Sequence, residues 1–426
     1  MNDTHTQNYL RTPVREDGVA IINKQAEKLF YLLREFLDKT PENNNDITDY
    51  LLDDLPELLH LCKIHSLQSI LYYMFLNNVG PLRDHFPDLA KKMQSQYIAS
   101  VYYSIQQDAE TEEMADRFSR SGIQIVFFKG ALLRTFYPEP QLRTMGDVDC
   151  LVALKDRDRA HKLMLGSGYE CSSDKGDVWV YKKGWDVVEM HTRIAQNSFS
   201  NGFDYKEFFS DAMEHTEKNG KLICLEREYH FCFLIYHIAK HLYSTGAGIR
   251  MILDIAVFLK HYENEFDWEL TGEFLRKIGL SRTAGAVFQL CGRWFGLEIP
   301  WQDKVGKDVL DQLEAYIIEG GTFGFETHDA GDIYLRKGCE KDPAGGKYRM
   351  KFRILWRYLF PPADNMLQIM PSVERWRWLL PAAWVKRWWL GAFCRRKHSL
   401  HTVRSMFKDD DGRGRTEQHM LEDLGL

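Results

Sequence analysis

The sequence predicts an α+β fold, with a small mixed β-sheet core embedded in predominantly helical N- and C-terminal regions. Three observations carry that expectation. Apolar residues recur at helical spacing from about residue 19 to 120, short β-rich runs punctuated by glycine fill 123–191, and helical spacing returns after Glu226.

The first stretch reads as helices because Ala26, Leu29, Phe30, Leu32, Leu33, Phe36 and Leu37 fall on one face. Leu51, Leu52, Leu55, Leu58, Leu59 and Leu61 do the same. A further helix is predicted from Tyr97 to Phe118, with Ser121-Gly122 as its stop. The texture then changes. IQIVFF (123–128) reads as a strand, and ALLRTFY as a short helix closed by Pro138. DVDCLV (147–152) alternates acid and apolar residues as a half-buried strand does. Asp156 to Leu165 reads as a helix, and DVWVYKK (177–183) and WDVVEMH (185–191) as strands joined through Gly184. This order predicts a sheet of four strands with helices on one side. YHFCFLIYHIAKHLY, IRMILDIAVFLKHY and the run around Ala284 to Phe295 are helical again. The glycines between Gly320 and Gly346 predict loops, and no internal repeat or low-complexity segment is evident. The expected organisation is a helical region (1–95), an α/β core (96–220), a helical domain (221–330) and a basic, tryptophan-rich region (331–426).

Composition narrows the function classes. The chain has 426 residues, of which 44% are hydrophobic, enough for a sizeable core. Its 55 Lys and Arg against 61 Asp and Glu give −6, which argues against a wholly basic nucleic-acid binder. The eight cysteines are scattered with no Cys-x-x-Cys, which argues against a disulfide scaffold or zinc ribbon. The N-terminus is polar and contains acids, unlike a signal peptide, and no apolar run is long enough to span a membrane. The expected compartment is the cytoplasm.

Chemistry concentrates in the β-rich segment. Asp147 and Asp149 lie two apart in a strand pattern, so both side chains leave one face and Val148 the other. Glu189 sits between Val188 and Met190, where an unpaired carboxylate is costly. Three carboxylates on one sheet face suit Mg²⁺ or Mn²⁺. An acid-x-acid pattern alone is weak, because roughly nine are expected by chance in a chain with this many acids. The context is more specific, with a preceding strand, a glycine turn and a third acid in a later strand.

Those residues carry a resemblance. FKGALLRTFY, LRTMGDVDCLV and WDVVEMH resemble the nucleotidyltransferase superfamily typified by DNA polymerase beta. More narrowly, they resemble the bacterial uncharacterised nucleotidyltransferase family, in which Lys-Gly precedes Arg-x-x-Gly-Asp-x-Asp and Glu-x-His. The resemblance covers about residues 95 to 260. It implies a nucleotidyltransferase α/β core and an enzyme that moves a nucleoside monophosphate from an NTP, expected to be ATP, to an acceptor hydroxyl with release of pyrophosphate. It implies that Asp147, Asp149 and Glu189 hold Mg²⁺ or Mn²⁺, with Glu189 helping to deprotonate the acceptor. One departure stands out: Gly130-Ala131 replaces the superfamily's usual Gly-Ser or Gly-Gly, removing a hydroxyl that contacts phosphate. Either Lys129, with Gly130 and backbone N–H groups at the helix start, takes that role, or triphosphate binding is weak. The alternative is a catalytically inactive nucleotide-binding or scaffold protein that keeps the fold.

Several neighbours have two readings. Arg143 could fork onto phosphate oxygens or pair with Asp147. His191 shares the face of Glu189, where it could position the acceptor or hydrogen-bond a carboxylate. His237, Lys240 and His241 share a helical face, and Arg250 and Asp254 repeat the spacing after a glycine break. Lys240 and Arg250 are candidate phosphate contacts, with an ordinary Arg250–Asp254 helix pair as the alternative. His237 and His241 are supporting residues, or two ligands of a zinc site that lacks the His-Glu-x-x-His glutamate. From Lys347 to Arg404 the chain has thirteen basic residues against Asp364 and Glu374, and six of its eleven tryptophans. That segment could meet an acidic partner, a membrane surface or nucleic acid, or simply pack with a solvated basic face. The acceptor itself is unspecified: a small molecule, sugar, peptide, protein or RNA end.

Overall fold

The computed structural model describes residues 18–38, 45–196, 201–244, 246–321, 355–356, 358–361, 363–366, 370, 372–393 and 413–426. The N-terminal 17 residues, nearly all of the glycine-rich stretch and much of the basic segment lie outside the described residues.

Among the described residues six α-helices precede the sheet: α1 (Gly18–Asp38), α2 (Asn45–Leu52), α3 (Leu55–Ile64), α4 (Gln68–Phe75), α5 (Val79–His85) and α6 (Pro87–Arg120). The leucine run at 51–61 is split because Asp54 adopts a left-handed backbone conformation before α3. Helix α6 starts about one turn after Leu82 at Pro87, a residue suited to a first helical turn, and passes unbroken through residue 95. It stops where Gly122 takes a positive φ.

The sheet has seven strands, not four. They are β1 (Ile125–Phe127), β2 (Val148–Val152), β3 (Glu170–Ser173), β4 (Val178–Lys183), β5 (Asp186–His191), β6 (Thr216–Asn219) and β7 (Leu222–Leu225), in the order β3-β4-β5-β2-β1-β7-β6. Between them lie α7 (Gly130–Leu133), α8 (Arg157–Gly166) and α9 (Tyr205–Phe208). Strand β2 runs antiparallel to β1 and parallel to β5. The additional strands are four residues each, and β6 (TEKN) has no apolar residue to signal it. β6 and β7 form a hairpin across Gly220, which has positive φ.

Helices cover both faces of the central strands, whereas the sequence pattern predicts one. Ile125, Phe127, Val148, Cys150, Val152, Val188 and Met190 pack with Met114 and Phe118 of α6 and Ala160 and Met164 of α8. The opposite side chains Val126, Phe128 and Leu151 join a larger core. That core includes α10 (Arg227–Ser244), α11 (Ile249–His261), α13 (Ser281–Phe295) and α14 (Lys307–Gly320), with α12 (Trp268–Lys277) against it. The reason is length: β1 and β2 are buried along their whole extent, so neither face is left to solvent.

In the C-terminal segment Met366, Val373 and Ala383 form a small separate core. Trp376, Trp378 and Trp389 are exposed, while Arg387 stacks over Tyr358 and donates to its carbonyl. Among the described residues no helix is long and apolar enough to cross a membrane.

Candidate active site

The parallel pairing of β2 and β5 sets Asp149 directly opposite Glu189. Since side chains alternate across a strand, Asp149, Glu189 and His191 emerge on one face. One ligand atom from each lies within 4.8 Å of the others. Asp147 precedes β2 rather than lying within it, so the loop and not the strand's alternation orients it. It is close enough to feel both neighbours. Burial, and then the Asp149 and Glu189 carboxylates, push its pKa up to about 6.

Asp149 is the opposite case. Burial works against its charge, but the Lys129 ammonium and His191 outweigh it and hold the carboxyl down to about 2. Lys129 Nζ donates to Asp149 Oδ1 at 2.6 Å, and His191 Nε2 donates to the same oxygen at 3.0 Å. His191 Nε2 is also 3.8 Å from Glu189 Oε2.

Lys129 reaches this position through an unusual backbone. It has φ 51°, and its N–H donates to His230 Nε2 at 3.0 Å. His230 is fully buried on α10, and burial, Arg143 and Lys129 lower its pKa to about 3. Gly130 follows for a steric reason: a Cβ there would meet Arg143 Nη1 at 2.7 Å and Met145 Sδ at 2.8 Å.

Arg143 pairs with Asp254 and not with Asp147. Its Nε and Nη2 donate to Asp254 at 2.7 and 2.8 Å, and Tyr137 donates to the same carboxylate at 2.9 Å. The ion pair is buried, so Asp254 draws Arg143 away from Asp147 and occupies the fork that phosphate would use. Arg250 consequently does not pair with Asp254. Its Nη1 donates to the Thr144 carbonyl at 3.0 Å, and its buried Nε has no partner.

Helices α10 and α11 carry the remaining candidates to the same side, with His237, Lys240 and His241 on α10 and Arg250 on α11. Lys240 is lowered by burial and then by Lys129, and Arg250 by burial and then by Arg143. Burial depresses His237 well below the ordinary range, with Lys129 adding to it, and takes His241 down to about 4. Their rings lie 4.5 Å apart, but among the described residues no third ligand joins them, so a zinc centre there has no support.

The result is a carboxylate group faced by cations that repel one another. Such a group can hold a hard divalent cation, and the surrounding cations can take a polyanion. The donor set fits a metal of the Mg²⁺ or Mn²⁺ kind, since Asp147, Asp149 and Glu189 supply carboxylate oxygens, with His191 hydrogen-bonded to Asp149. The orphaned Arg250 Nε fits an anionic ligand beside it. His230, Tyr137 and Asp254 are the residues that sequence reasoning did not assign to the site. Only Asp254 gave a signal, through its spacing from Arg250.

The family model described as "Uncharacterised nucleotidyltransferase" matches residues 53–296. No curated protein matches the chain. One similar solved structure is the solution structure of the antibiotic-resistance factor ANT(2'')-Ia. It is 9% identical, covers 41% of this chain and 90% of its own, and superposes with a TM-score of 0.30.

Proposed function

Because this chain belongs to the uncharacterised nucleotidyltransferase family, an enzyme class that transfers phosphorus-containing groups, we propose that it moves a nucleoside monophosphate from an NTP to an acceptor hydroxyl. ATP is the expected donor and pyrophosphate the product. One observation carries the reading: the ligand atoms of Asp149, Glu189 and His191 converge within 4.8 Å on a sheet face next to Asp147.

In this reading Asp147, Asp149 and Glu189 hold Mg²⁺ or Mn²⁺, with His191 against Asp149. The bound metal would neutralise charge on the transferring phosphoryl and the leaving pyrophosphate. Lys129, Lys240 and Arg250 bind and orient the triphosphate, which relieves their mutual repulsion. Lys129 exchanges its Asp149 partner for a phosphate oxygen when nucleotide enters. Glu189, the most exposed of the three interacting site groups at 34%, accepts the proton of the attacking hydroxyl. Arg143 acts through Asp254 and Gly130, holding the Lys129–Gly130 turn rather than touching phosphate.

A second reading, nucleotide binding without transfer, is favoured by Ala131. It is buried and offers no hydroxyl where the wider superfamily has serine. Thermal shift with each NTP and Mg²⁺ or Mn²⁺ separates the readings from a scaffold, because a ligand that binds the folded state raises its melting temperature. A shift accompanied by acceptor adducts of one nucleoside monophosphate in intact-mass spectra supports transfer. No shift with any NTP, or an Asp147→Asn, Asp149→Asn double variant that binds and transfers like wild type, overturns the site assignment.

A further inference from the structure

A cleft of about 460 Å³ lies beside the carboxylates, walled by α6, the start of α4, the loop 143–146 and the start of β5. Its volume is in the range of small-molecule sites. The carboxylates do not line it, but Gly146 does, and Gly146 is covalently next to Asp147. Space above Gly146 is open, since a Cβ there would meet nothing within 4 Å. A molecule seated in the cleft could therefore extend a hydroxyl over Gly146 toward Asp147.

We propose that this cleft is the acceptor subsite and that it takes a neutral, polyhydroxylated pyranose, free or at the end of a glycan. The inference rests on the transferase reading above and names the acceptor class for that same site.

Aromatic side chains form the rim. Trp185 is 76% exposed and Tyr103 is 40% exposed, and their rings meet edge-on at 6.2 Å. A large aromatic left this open next to a polar cleft is a platform for the C–H face of a sugar ring, which is flat, apolar on one side and ringed by hydroxyls. The floor supplies acceptors with unspent capacity. Asp186 is 6% exposed, and its carboxylate accepts one side-chain hydrogen bond, from Gln106 Nε2 at 3.2 Å. Lys183, on the neighbouring strand, is taken by Glu110. The Asp186 carboxylate calls for donors, and sugar hydroxyls supply them.

Charge selects against anionic acceptors. The two lining cations are Arg134 and Arg143, and the charge of each is paired inside the protein, although the buried Arg134 Nε has no hydrogen-bond partner. Arg134 is 2% exposed and bonded to Ser104 and Asp108, while Arg143 is locked to Asp254. A nucleic-acid end would bring phosphates against Asp186 with no uncommitted lining cation to meet them. A peptide that offers a serine or threonine hydroxyl brings no ring face for Trp185 with it.

The test is saturation-transfer difference NMR on the full chain without nucleotide. The probes are methyl α- and β-glycosides of glucose, galactose, mannose and N-acetylglucosamine at millimolar concentration. At least one is expected to bind, and Trp185→Ala is expected to weaken it about tenfold, equivalent to about 1.4 kcal/mol. The NTP–metal thermal shift should be the same in Trp185→Ala as in wild type. Since Trp185 is largely exposed, loss of the fold is not at issue. No binding by any glycoside, undiminished binding in Trp185→Ala, or binding of a blocked Gly-Ser-Gly peptide or a short oligonucleotide instead overturns the inference. If glycosides fail while the NTP–metal shift persists, only the acceptor assignment falls. If that shift is absent, the transferase reading falls.

Discussion

Replacing Asp254 by alanine should be among the most damaging changes near the site, although Asp254 lies outside the carboxylate cluster. Its carboxylate takes two hydrogen bonds from Arg143 at 2.7 and 2.8 Å and one from Tyr137, all buried. At that separation two unit charges attract by about 6 kcal/mol at an effective dielectric of 20. Most of that is offset by the cost of desolvating both ions. Removing only Asp254 leaves the desolvation cost of Arg143 in place, with Arg134 and His230 nearby. The expected loss is about 3–5 kcal/mol. Replacing both partners with apolar side chains, as in Arg143→Met with Asp254→Leu, should recover at least half of it. Urea unfolding of the four members of that cycle, followed by tryptophan fluorescence, measures the coupling directly. A loss below about 1 kcal/mol in Asp254→Ala, or a double variant worse than both singles, refutes the reasoning.

Four further outcomes are expected. Gly130→Ala forces its Cβ against the pinned Arg143 and Met145, so it should cost about 1–3 kcal/mol in urea unfolding and weaken the NTP-induced thermal shift; equal stability to wild type counts against the packing account. Gly285→Ala sets a Cβ 1.7 Å from the Asp303 carbonyl oxygen, a backbone atom, and should cost about 3 kcal/mol or more by the same measurement. Lys129→Met removes the ammonium that competes for Asp149, so calorimetry should show tighter metal binding without nucleotide but weaker NTP binding; both moving together would contradict the exchange of partners. His65 is fully buried and its pKa is lowered to about 4, so the unfolded chain takes up the proton first as pH falls. Its contribution is therefore complete above about pH 6.5 and lost toward pH 4, by about 3 kcal/mol, and His65→Gln should flatten that slope in urea midpoints taken across the range.

Long apolar patterns were legible in the sequence, and short polar elements were not. The faces of α1, α10 and α11 announce themselves because many leucines and isoleucines repeat at one spacing. Strand β6 does not, since TEKN draws its order from pairing with β7 and from the Gly220 turn. The Asn219-Gly220 pair is a hairpin signal that was available to read. The second covered face is tertiary information: nothing in IVF says whether Val126 meets water or the helical core it joins. At the site, strand alternation is local and predicts the shared face of Glu189 and His191, but Asp149 meets Glu189 through the parallel pairing of β2 and β5, and Asp147 lies before the strand that was to orient it. Arg143 and Asp254 are 111 residues apart, so their pairing depends on how α11 docks on the 3₁₀ turns after α7. His230 gave no signal, because its role is to accept a backbone N–H made available only by the positive φ of Lys129.

Helix α6 has a consequence of its own. Its 34 residues span about 50 Å, and one unbroken rod both backs the sheet near Phe118 and walls the cleft near Ser100. An acceptor held against that wall is indexed to the carboxylates by a strut without a joint, so fit would be set by the pattern of side chains along one strip and not by closure of a lid. Exchanging residues along the strip at Gln96, Ser100 and Tyr103 would then work like changing the wards of a lock while its bolt stays where it is.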